Sequence, residues 1–284
     1  MILIDYSGIS IAPIVMNQAK FNDENLLRHM ILNTIRMYRQ KFKEYGEVVI
    51  VADGGGNWRK EVYPEYKFKR KSNREESNID WDEAFRIINM VLQEIKDNLP
   101  YKVIHQWGCE ADDSIAEIVK WTQEFGNYEK VMIVSADKDF KQLQKFDNVR
   151  QFSPMTKKLV KVDNPRLELE EHILGGDAGD GVPNVLSDDK VFAEGRRQGI
   201  LTAKKKEALM NDPKAFGEEV YRNYLRNKKM IDITEASAMP DHIRKEIINT
   251  FENQNKSEYK KQVLNYFIKH QCRNLIEVLD EFIS

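Results

Sequence analysis

The chain has few residues that could form disulfide bonds, because only two of its 284 residues are cysteines, Cys109 and Cys272. Two cysteines this far apart exclude a disulfide framework and indicate a reducing compartment. The five histidines do not cluster with them, which argues against a zinc site. No apolar run approaches the length that crosses a bilayer, and Met1 leads into a strand-like segment instead of a basic leader. We therefore expect neither a membrane span nor a signal peptide.

The chain also lacks an excess of charge of either sign, since 44 lysines and arginines face 46 acidic residues for a net charge of −2. That balance argues at first against nucleic acid as a partner. The basic residues gather, however, in three segments, at 57–74, 196–206 and 222–229. A hydrophobic share of 41% and a charged share of 32% describe a globular protein with a heavily charged surface. Separate basic patches beside an acidic centre can bind phosphates although the net charge is near zero.

Strand-like and helix-like segments alternate in the first part of the chain. Short apolar runs predict strands at 2–6, 48–52, 103–104 and 131–134. Apolar residues at helical spacing predict helices at 26–45, 85–99 and 111–125. This order predicts an α/β fold with a mostly parallel central sheet and helices on both faces.

Beyond about residue 165 the strand signal fades and the pattern becomes mainly helical. Helices are predicted at 167–174, 202–210, 216–225, 243–251, 259–270 and from about 274. We therefore expect an α/β domain over residues 1–165 and a smaller, mainly helical region over 166–284.

Acidic residues crowd at the loop-facing ends of the predicted strands. The set comprises Asp5, Asp53, Glu110, Asp112, Asp113, Asp137, Asp139, Asp177 and Asp180. Because the carboxyl ends of parallel strands meet at one edge of a sheet, these acids are expected to converge there. Carboxylates packed this closely repel one another unless a cation neutralises them, and an all-oxygen cluster favours Mg²⁺ or Mn²⁺.

Each acidic motif has an ordinary structural explanation when it is taken alone. Asp112 and Asp113 could complement a helix macrodipole, Asp137 could cap a helix, and Asp177 and Asp180 could stabilise a turn. The convergence of the whole set at one predicted sheet edge favours the metal site over independent coincidence.

Two other patterns leave alternatives open. Trp58, Tyr63, Tyr66 and Phe68 interleave with basic residues, which fits either a local core or stacking on exposed bases. The basic run at 202–206 could be a solvated helix face or a phosphate-binding patch.

Seven ordered motifs resemble those of one known family. They are Leu3-Ile4-Asp5-Tyr6-Ser7, Val51-Ala52-Asp53, Tyr66-Lys67-Phe68-Lys69-Arg70, Glu110-Ala111-Asp112-Asp113, Ser135-Ala136-Asp137-Lys138-Asp139-Phe140, Gly176-Asp177-Ala178-Gly179-Asp180 and Met239-Pro240-Asp241-His242-Ile243. In this order they resemble the 5′ nucleases of the flap endonuclease superfamily, most closely the ribonuclease H group of T-even-type bacteriophages.

The resemblance implies a PIN-like, Mg²⁺-dependent 5′-3′ exonuclease and flap endonuclease with ribonuclease H activity. Such an enzyme removes RNA primers and adjacent DNA from lagging-strand fragments and cuts 5′ flaps or forks during DNA replication. Two Mg²⁺ ions are implied, and Mn²⁺ is expected to substitute for them. The first ion is assigned to Asp5, Asp53, Glu110, Asp112 and Asp137, and the second to Asp139, Asp177 and Asp180, with Asp113 shared or outside the ligands.

The resemblance also assigns basic residues. Lys67 and Arg70 match the family's cations near the cleaved phosphate, and Arg59 is a weaker candidate for the same role. Residues 66–80 match an arch through or under which a single-stranded 5′ end passes. Lys69 and Lys71 are implied to bind nucleic acid. Family members often carry a Gly-Ile-Gly hairpin that residues 185–199 lack, so the duplex contact is assigned to Arg196, Arg197, Lys204, Lys205 and Lys206.

The implied partners are branched or nicked DNA and RNA–DNA duplexes with a 5′ end. A single-stranded-DNA-binding protein and a sliding clamp are further implied, for a monomeric phage protein in the host cytoplasm, away from membranes. Two rival functions stay open. A toxin-type metal-dependent ribonuclease is usually much shorter and lacks a helical second half, and a non-catalytic nucleic-acid-binding protein would not need every acid present here.

Overall fold

The computed structural model describes residues 1–16, 23–235, 237–254 and 260–283, and it leaves the side chain of Lys71 undescribed. These residues form a six-stranded sheet in the order β3-β2-β1-β4-β5-β6. Its strands are β1 Ile2–Asp5, β2 Val48–Ala52, β3 Lys102–His105, β4 Val131–Val134, β5 Val149–Ser153 and β6 Lys158–Val160. β1 to β5 pair in parallel, and β6 pairs antiparallel to β5. The predicted α/β class and mostly parallel sheet are confirmed.

The helices that follow β1, β2 and β3 come first along the chain. They are α1 Tyr6–Met16, α2 Glu24–Lys41, α3 Trp58–Val62, α4 Lys69–Glu75, α5 Trp81–Asn98 and α6 Ala111–Glu124. The later helices are α7 Pro165–Gly175, α8 Ala203–Asn211, α9 Glu218–Ile231, α10 Asp241–Asn253, α11 Lys260–Lys269, α12 Arg273–Ile276 and α13 Asp280–Ile283. Short 3₁₀ turns occupy Lys43–Tyr45, Lys138–Lys145 and Pro213–Phe216. The mainly helical second part is therefore also observed, although the predicted start of α11 at residue 259 lies outside the described residues.

Two hydrophobic cores lie on the two faces of the sheet. Alternate residues of β1 serve both, because Ile2 and Ile4 belong to the core with α2 and α5, whereas Leu3 belongs to the core with α6 and α10. The last helices return to the first face, where α11 contacts α5, while α10 contacts α6 on the second. Helices from the second half of the sequence thus stabilise both faces of the sheet.

Local signals explain where the principal helices begin. The side chain of Asp23 caps α2 and that of Asp80 caps α5, each accepting a backbone N–H of the first turn. α6 begins at Glu110 with a reciprocal capping box that includes Asp113. None of the described helices combines the length and the apolar character needed to cross a membrane.

The chain order places the acidic loops at one point of the sheet. β1 is central, with β2 on one side and β4 on the other, so the strand order reverses beside it. In open α/β sheets the crevice beyond the carboxyl ends at such a reversal is where ligands bind. The ends of β1, β2 and β4 deliver Asp5, Asp53 and Asp137 to this crevice.

Candidate metal-binding active site

Asp5 and Asp53 are oriented by donors from neighbouring elements. Asp5 ends β1 and accepts a hydrogen bond from the Ser135 hydroxyl, with 2.8 Å between the oxygens. Asp53 follows β2 and accepts from the Ser7 hydroxyl at 2.7 Å and from the Ala111 N–H at 2.9 Å. The second contact joins the end of β2 to the first turn of α6. Hydroxyl and amide donors therefore fix both carboxylates while their charge remains to be neutralised.

Several carboxyl groups in the crevice resist ionisation. Burial raises the pKa of Asp5 to about 6, and the charges of Asp53 and Asp137 act in the same direction. Burial likewise raises the pKa of Asp112 well above its usual range. For Asp112, the charge of the nearby Arg59 guanidinium opposes this rise without cancelling it. The crevice therefore holds more acidic groups than its own basic residues can neutralise.

Arg59 lies beneath the acidic cluster and holds it together. Its side chain is 1% exposed, and its guanidinium nitrogens lie 2.7 and 2.9 Å from the two carboxylate oxygens of Asp113. It also reaches Asp112 at 3.3 Å and Glu110 at 3.4 Å. The Trp58 indole donates to Asp113 at 3.0 Å. Asp113 is thus fully engaged by buried donors.

This placement does not support the expected role of Arg59 at the cleaved phosphate, because a buried guanidinium cannot contact a phosphate in solution. It also removes Asp113 from the residues that could bind a cation directly, since that carboxylate is 1% exposed. Both residues are better described as the support that positions Glu110 and Asp112.

Replacing Arg59 with methionine should destabilise the protein severely. The change leaves Asp113 as a buried charge without its partner, and breaking one side of a buried ion pair costs about 3–5 kcal/mol. Urea unfolding monitored by circular dichroism measures the loss. Arg86→Met is the control, because Arg86 pairs with Glu83 on an exposed surface and its loss should leave the unfolding midpoint nearly unchanged. Equal midpoints for the two variants would contradict the supporting role of Arg59.

Lys67, just before α4, contacts Glu110 and Asp180, and Arg70, within α4, contacts Asp180. The Lys67 ammonium lies 2.5 Å from Glu110 and 3.6 Å from Asp180, and Arg70 lies 3.2 Å from Asp180. The backbone N–H of Lys67 donates to the Asp180 carbonyl at 2.7 Å, which holds Lys67 at a φ of +56°. Tyr66, which sequence analysis did not assign to the site, donates its hydroxyl to Glu110 at 2.7 Å.

The charges of Lys67 and Arg59 keep Glu110 ionised. Burial alone would favour its neutral form, but the charges of Lys67 and Arg59 outweigh burial and lower the pKa of Glu110 to about 2. Burial raises the pKa of Asp180, against the charges of Lys67 and Arg70. Glu110 is therefore ionised near neutral pH, and Lys67 is the basic residue that contacts it from the arch side.

Asp139, Asp177 and His172 form a second cluster about α7. His172 lies in α7, with its Nδ1 atom 3.3 Å from Asp139 and its Nε2 atom 3.4 Å from Asp177. The Asp139 Oδ1 and His172 Nε2 atoms are buried and have no hydrogen-bond partner within the described part of the chain. Burial raises the pKa of Asp139 to about 7, and the charge of Asp137 acts in the same direction. One ligand atom from each of Asp139, His172 and Asp177 lies within 4.8 Å of the others.

His172 was missed from the sequence because no motif marks it. It precedes Asp177 by five residues on a helix, where a lone histidine carries no recognisable spacing. An oxygen of Asp139, whose pKa is raised, and a ring nitrogen of His172 are buried without hydrogen-bond partners in the described part of the chain, and both could supply lone pairs to a divalent cation. The residues of this crevice therefore fit a metal ion of the Mg²⁺ or Mn²⁺ type.

A large cavity opens between the acids and α4. It has a volume of about 960 Å³, and Asp53, Glu110, Lys67, Arg70 and Arg74 contribute to its walls. Acidic and basic residues both line this cavity, and Glu75, Asp80 and Asp82 are among the acids. We call it the arch cavity below.

The aromatic series near Lys67 belongs mostly to the core. Trp58, Tyr63 and Tyr66 are each at most 3% exposed, so the local-core alternative is right for them and stacking on exposed bases is not. The large exposed aromatic side chain near the acids is instead Trp107, at 72% exposure, which sequence analysis did not single out.

The other predicted nucleic-acid residues make no ion pair with the acids of the crevice within the described residues. Arg196 pairs with Asp188 and Glu194, and Lys206 pairs with Glu171. Within the described ranges no ion pair involves Arg197, Lys204 or Lys205, which are exposed. Lys69 is exposed at the start of α4, and the side chain of Lys71 lies outside the described residues.

The chain matches two described protein families that together span nearly all of it. Residues 12–171 match the family described as 5′-3′ exonuclease, N-terminal resolvase-like domain. Residues 163–282 match the family described as T4 RNase H, C terminal. The ribonuclease H of Enterobacteria phage T4 is 35% identical over 295 residues, covering 99% of this chain and 95% of that protein. The flap endonuclease Xni of Shewanella sp. (strain MR-4) is 32% identical over 148 residues, covering 49% of this chain and 52% of that protein.

Solved structures share the fold. A bacteriophage T5 protein crystallised with metal ions has a TM-score of 0.63 at 20% identity, covering 88% of this chain and 98% of that one. The T5 flap endonuclease in a pseudo-enzyme–product complex with DNA and metal ions has a TM-score of 0.62 at 20% identity, covering 89% and 99%.

Proposed function

Because this chain belongs to the 5′-3′ exonuclease family of metal-dependent nucleases, together with phage T4 ribonuclease H, we propose that it is a structure-specific 5′ nuclease of DNA replication. It removes RNA primers and adjacent DNA from the 5′ ends of lagging-strand fragments and cuts 5′ flaps or forks. The observation that carries the proposal is the crevice beside the arch cavity. The acids at the ends of β1, β2 and β4 lie there near Glu110 and Asp180, the two acids that Lys67 and Arg70 contact.

The acids divide into two groups that would each hold one ion. Asp5, Asp53, Glu110, Asp112 and Asp137 form the first group, and Asp139, Asp177, Asp180 and His172 form the second. Two Mg²⁺ ions, which Mn²⁺ can replace, would stabilise charge on the phosphate and lower the pKa of the attacking water.

The protein's own residues supply the positioning and the remaining charge. Ser7 and Ser135 hold Asp53 and Asp5 in place through the hydrogen bonds described above. Lys67 and Arg70 face the acids from the arch side, where a phosphate between them and the acids would develop negative charge during hydrolysis. Cations fixed in advance at such a point stabilise the transition state more than the ground state.

The arch cavity suits a single strand that arrives by its 5′ end. Its basic residues Lys67, Arg70 and Arg74 would contact the phosphate backbone on its way to Asp53 and Glu110. We assign residues 66–80 to this arch. We assign Lys69 and Lys71 to contacts with the nucleic-acid strand outside it. Residues 1–165 would then be the nuclease domain, and residues 166–284 the DNA-binding region.

His172 should affect the choice between metal ions. An imidazole nitrogen is a better ligand for Mn²⁺ than for Mg²⁺, which prefers oxygen. We expect His172→Gln to weaken Mn²⁺ binding about ten-fold while changing Mg²⁺ binding much less. Titration of free Mn²⁺ by electron paramagnetic resonance measures this, with the exposed His242→Gln as the control. Parallel losses for the two ions would contradict a nitrogen ligand and leave His172 as a structural residue.

The duplex beyond the cut should contact the exposed basic residues of the second region. Arg197, Lys204 and Lys205 show no ion pair within the described residues, so they are available to phosphates. Replacing the three with glutamine should lower the slope of log affinity against log salt by about two to three units. The double variant of Arg196 and Lys206, which already pair with acids, should change it less. An unchanged slope in the triple variant would move the duplex contact to the basic segment at 222–229.

The substrate class can be tested with three labelled molecules. A nicked duplex with an RNA 5′ segment and a 5′-flap DNA duplex should both be cut from the 5′ end, and single-stranded RNA without a duplex should be spared. Cutting of the single-stranded RNA alone would favour the toxin-type ribonuclease. Binding of all three without cutting would favour the non-catalytic protein. A single-stranded-DNA-binding protein and a sliding clamp are the proposed partners, in the host cytoplasm.

A further inference from the structure

Trp107 lies beside the acidic crevice, in the loop between β3 and α6, and the residue is 72% exposed. We propose that Trp107 is a stacking platform for one nucleobase of the cleaved strand, and that the cleft next to it receives that base. The inference rests on the proposed nuclease function and adds a base-binding subsite to it.

The indole is held in place by the glycine loop that follows β2. A Cβ atom on Gly55 would lie 2.0 Å from the Trp107 ring, and one on Gly56 would lie 3.1 Å from it. The ring therefore lies directly on backbone that only glycine allows. The Gly108 N–H donates to the Gly55 carbonyl at 2.8 Å, and the Gly54 N–H donates to the Cys109 carbonyl at 3.0 Å. These bonds fix the two loops together, so the exposed ring needs little ordering before it binds.

The cleft beside the ring has the size and the polar groups for a base. Its volume is about 510 Å³, which lies within the range of about 300–1,000 Å³ that is usual for ligand sites. Ser10, Asn89 and His105 contribute polar atoms to its walls. Ser10 is fully buried, and its hydroxyl has no hydrogen-bond partner within the described residues. A buried hydroxyl without a partner at a cleft wall is a group that a bound base could satisfy.

The position of the cleft indicates that the base it receives belongs to the cleaved strand. Asp53, Gly54, Arg74 and Phe85 line both this cleft and the arch cavity, so the two spaces meet at a proposed metal ligand. A base attached next to the phosphate at Asp53 needs to turn only a short way to reach Trp107. Enzymes that act within nucleic acids commonly take a nucleotide out of the stack and hold it on an aromatic ring. Arg74 supplies positive charge where the phosphate of that nucleotide would pass.

The test places 2-aminopurine in a 5′-flap duplex, in separate substrates, at the nucleotide on each side of the cleaved phosphate and at the opposite template position. Binding is measured with Ca²⁺ in place of Mg²⁺. Stacking on Trp107 should change the fluorescence of the probe at one of the two cleaved-strand positions. Trp107→Ala should abolish that change and lower flap affinity about ten-fold, and Trp107→Tyr should retain most of both.

Phe125→Ala is the matched control, because Phe125 is 76% exposed but follows the far end of α6. The subsite is overturned if Trp107→Ala and Phe125→Ala give identical fluorescence and affinity while the wild-type protein cuts the flap. That outcome leaves the nuclease function intact. A response at the template position alone would also overturn it. Wild-type protein that neither binds nor cuts the flap would overturn the nuclease function and the subsite with it.

Discussion

Asp137→Asn is expected to slow single-turnover cleavage of a 5′-flap duplex by about a thousand-fold or more, with affinity for the flap unchanged or higher. Asp137 is exposed at the crevice, where its charge contributes to the raised pKa of Asp5. Removing that charge weakens the binding of a divalent cation in the crevice and reduces the repulsion of an approaching phosphate. The fold should persist, because Asp137 caps the turn at Lys138–Lys145 by accepting from the Asp139 N–H, and asparagine caps as well as aspartate.

Asp212→Asn is the matched control for this variant. Asp212 caps the turn at Pro213–Phe216 by accepting the Lys214 N–H at 3.0 Å, which is the same contact outside the crevice. It should keep the wild-type rate. Rapid-quench measurement of the first turnover, at enzyme concentrations above the flap concentration, separates rate from affinity. An Asp137→Asn variant that cuts at the wild-type rate would contradict the assignment of this crevice as the metal site.

Lys67→Ala should lower the single-turnover rate by about ten- to a hundred-fold, with a much smaller loss of flap affinity. Lys67 is 12% exposed and points at Glu110 and Asp180, so its charge lies inside the crevice rather than on the DNA-binding surface. A contact of this kind gains most of its strength when charge develops on the phosphate.

Lys69→Ala provides the contrast, because Lys69 is exposed at the start of α4 and should affect affinity more than rate. The residues of α4 whose burial is described are exposed, and a short helix with few buried contacts should open readily. Hydrogen exchange is therefore expected to be fast over about residues 69–78 in the free protein and slower with flap DNA bound. A Lys67→Ala variant that loses affinity but keeps its rate would place the catalytic cation elsewhere.

The sequence predicts the centre of the fold because β1, β2 and β4 are continuous apolar runs. Their short length and their β-branched residues identify them as strands buried on both faces. β5, with the polar Arg150 and Gln151 in it, gives no such signal and was missed. α1 was missed because Ser7, Gly8 and Pro13 are poor helix formers, and its burial against the sheet overrides their propensity.

The sequence also predicts that the acids after β1, β2 and β4 and at the start of α6 lie at one sheet edge, whereas Asp177 and Asp180 lie in the turn after α7. It does not predict their neighbours. Arg59 was expected near a phosphate, but the fold buries it under Asp113, which no spacing reveals. Trp107 and His172 were missed because their significance comes from what lies across from them in space. Contacts between distant segments, such as Trp107 on Gly55, cannot be read from local periodicity.

The central claim is that this crevice cuts phosphodiester bonds at a 5′ end with the help of divalent metal. The most direct measurement incubates the protein with a 5′-flap duplex labelled at the flap end, with Mg²⁺ in one sample and EDTA in its place in another. The account predicts release of the flap with Mg²⁺ and none with EDTA. Equal cutting in both samples, or an intact flap in the presence of Mg²⁺ at saturating protein, would contradict it.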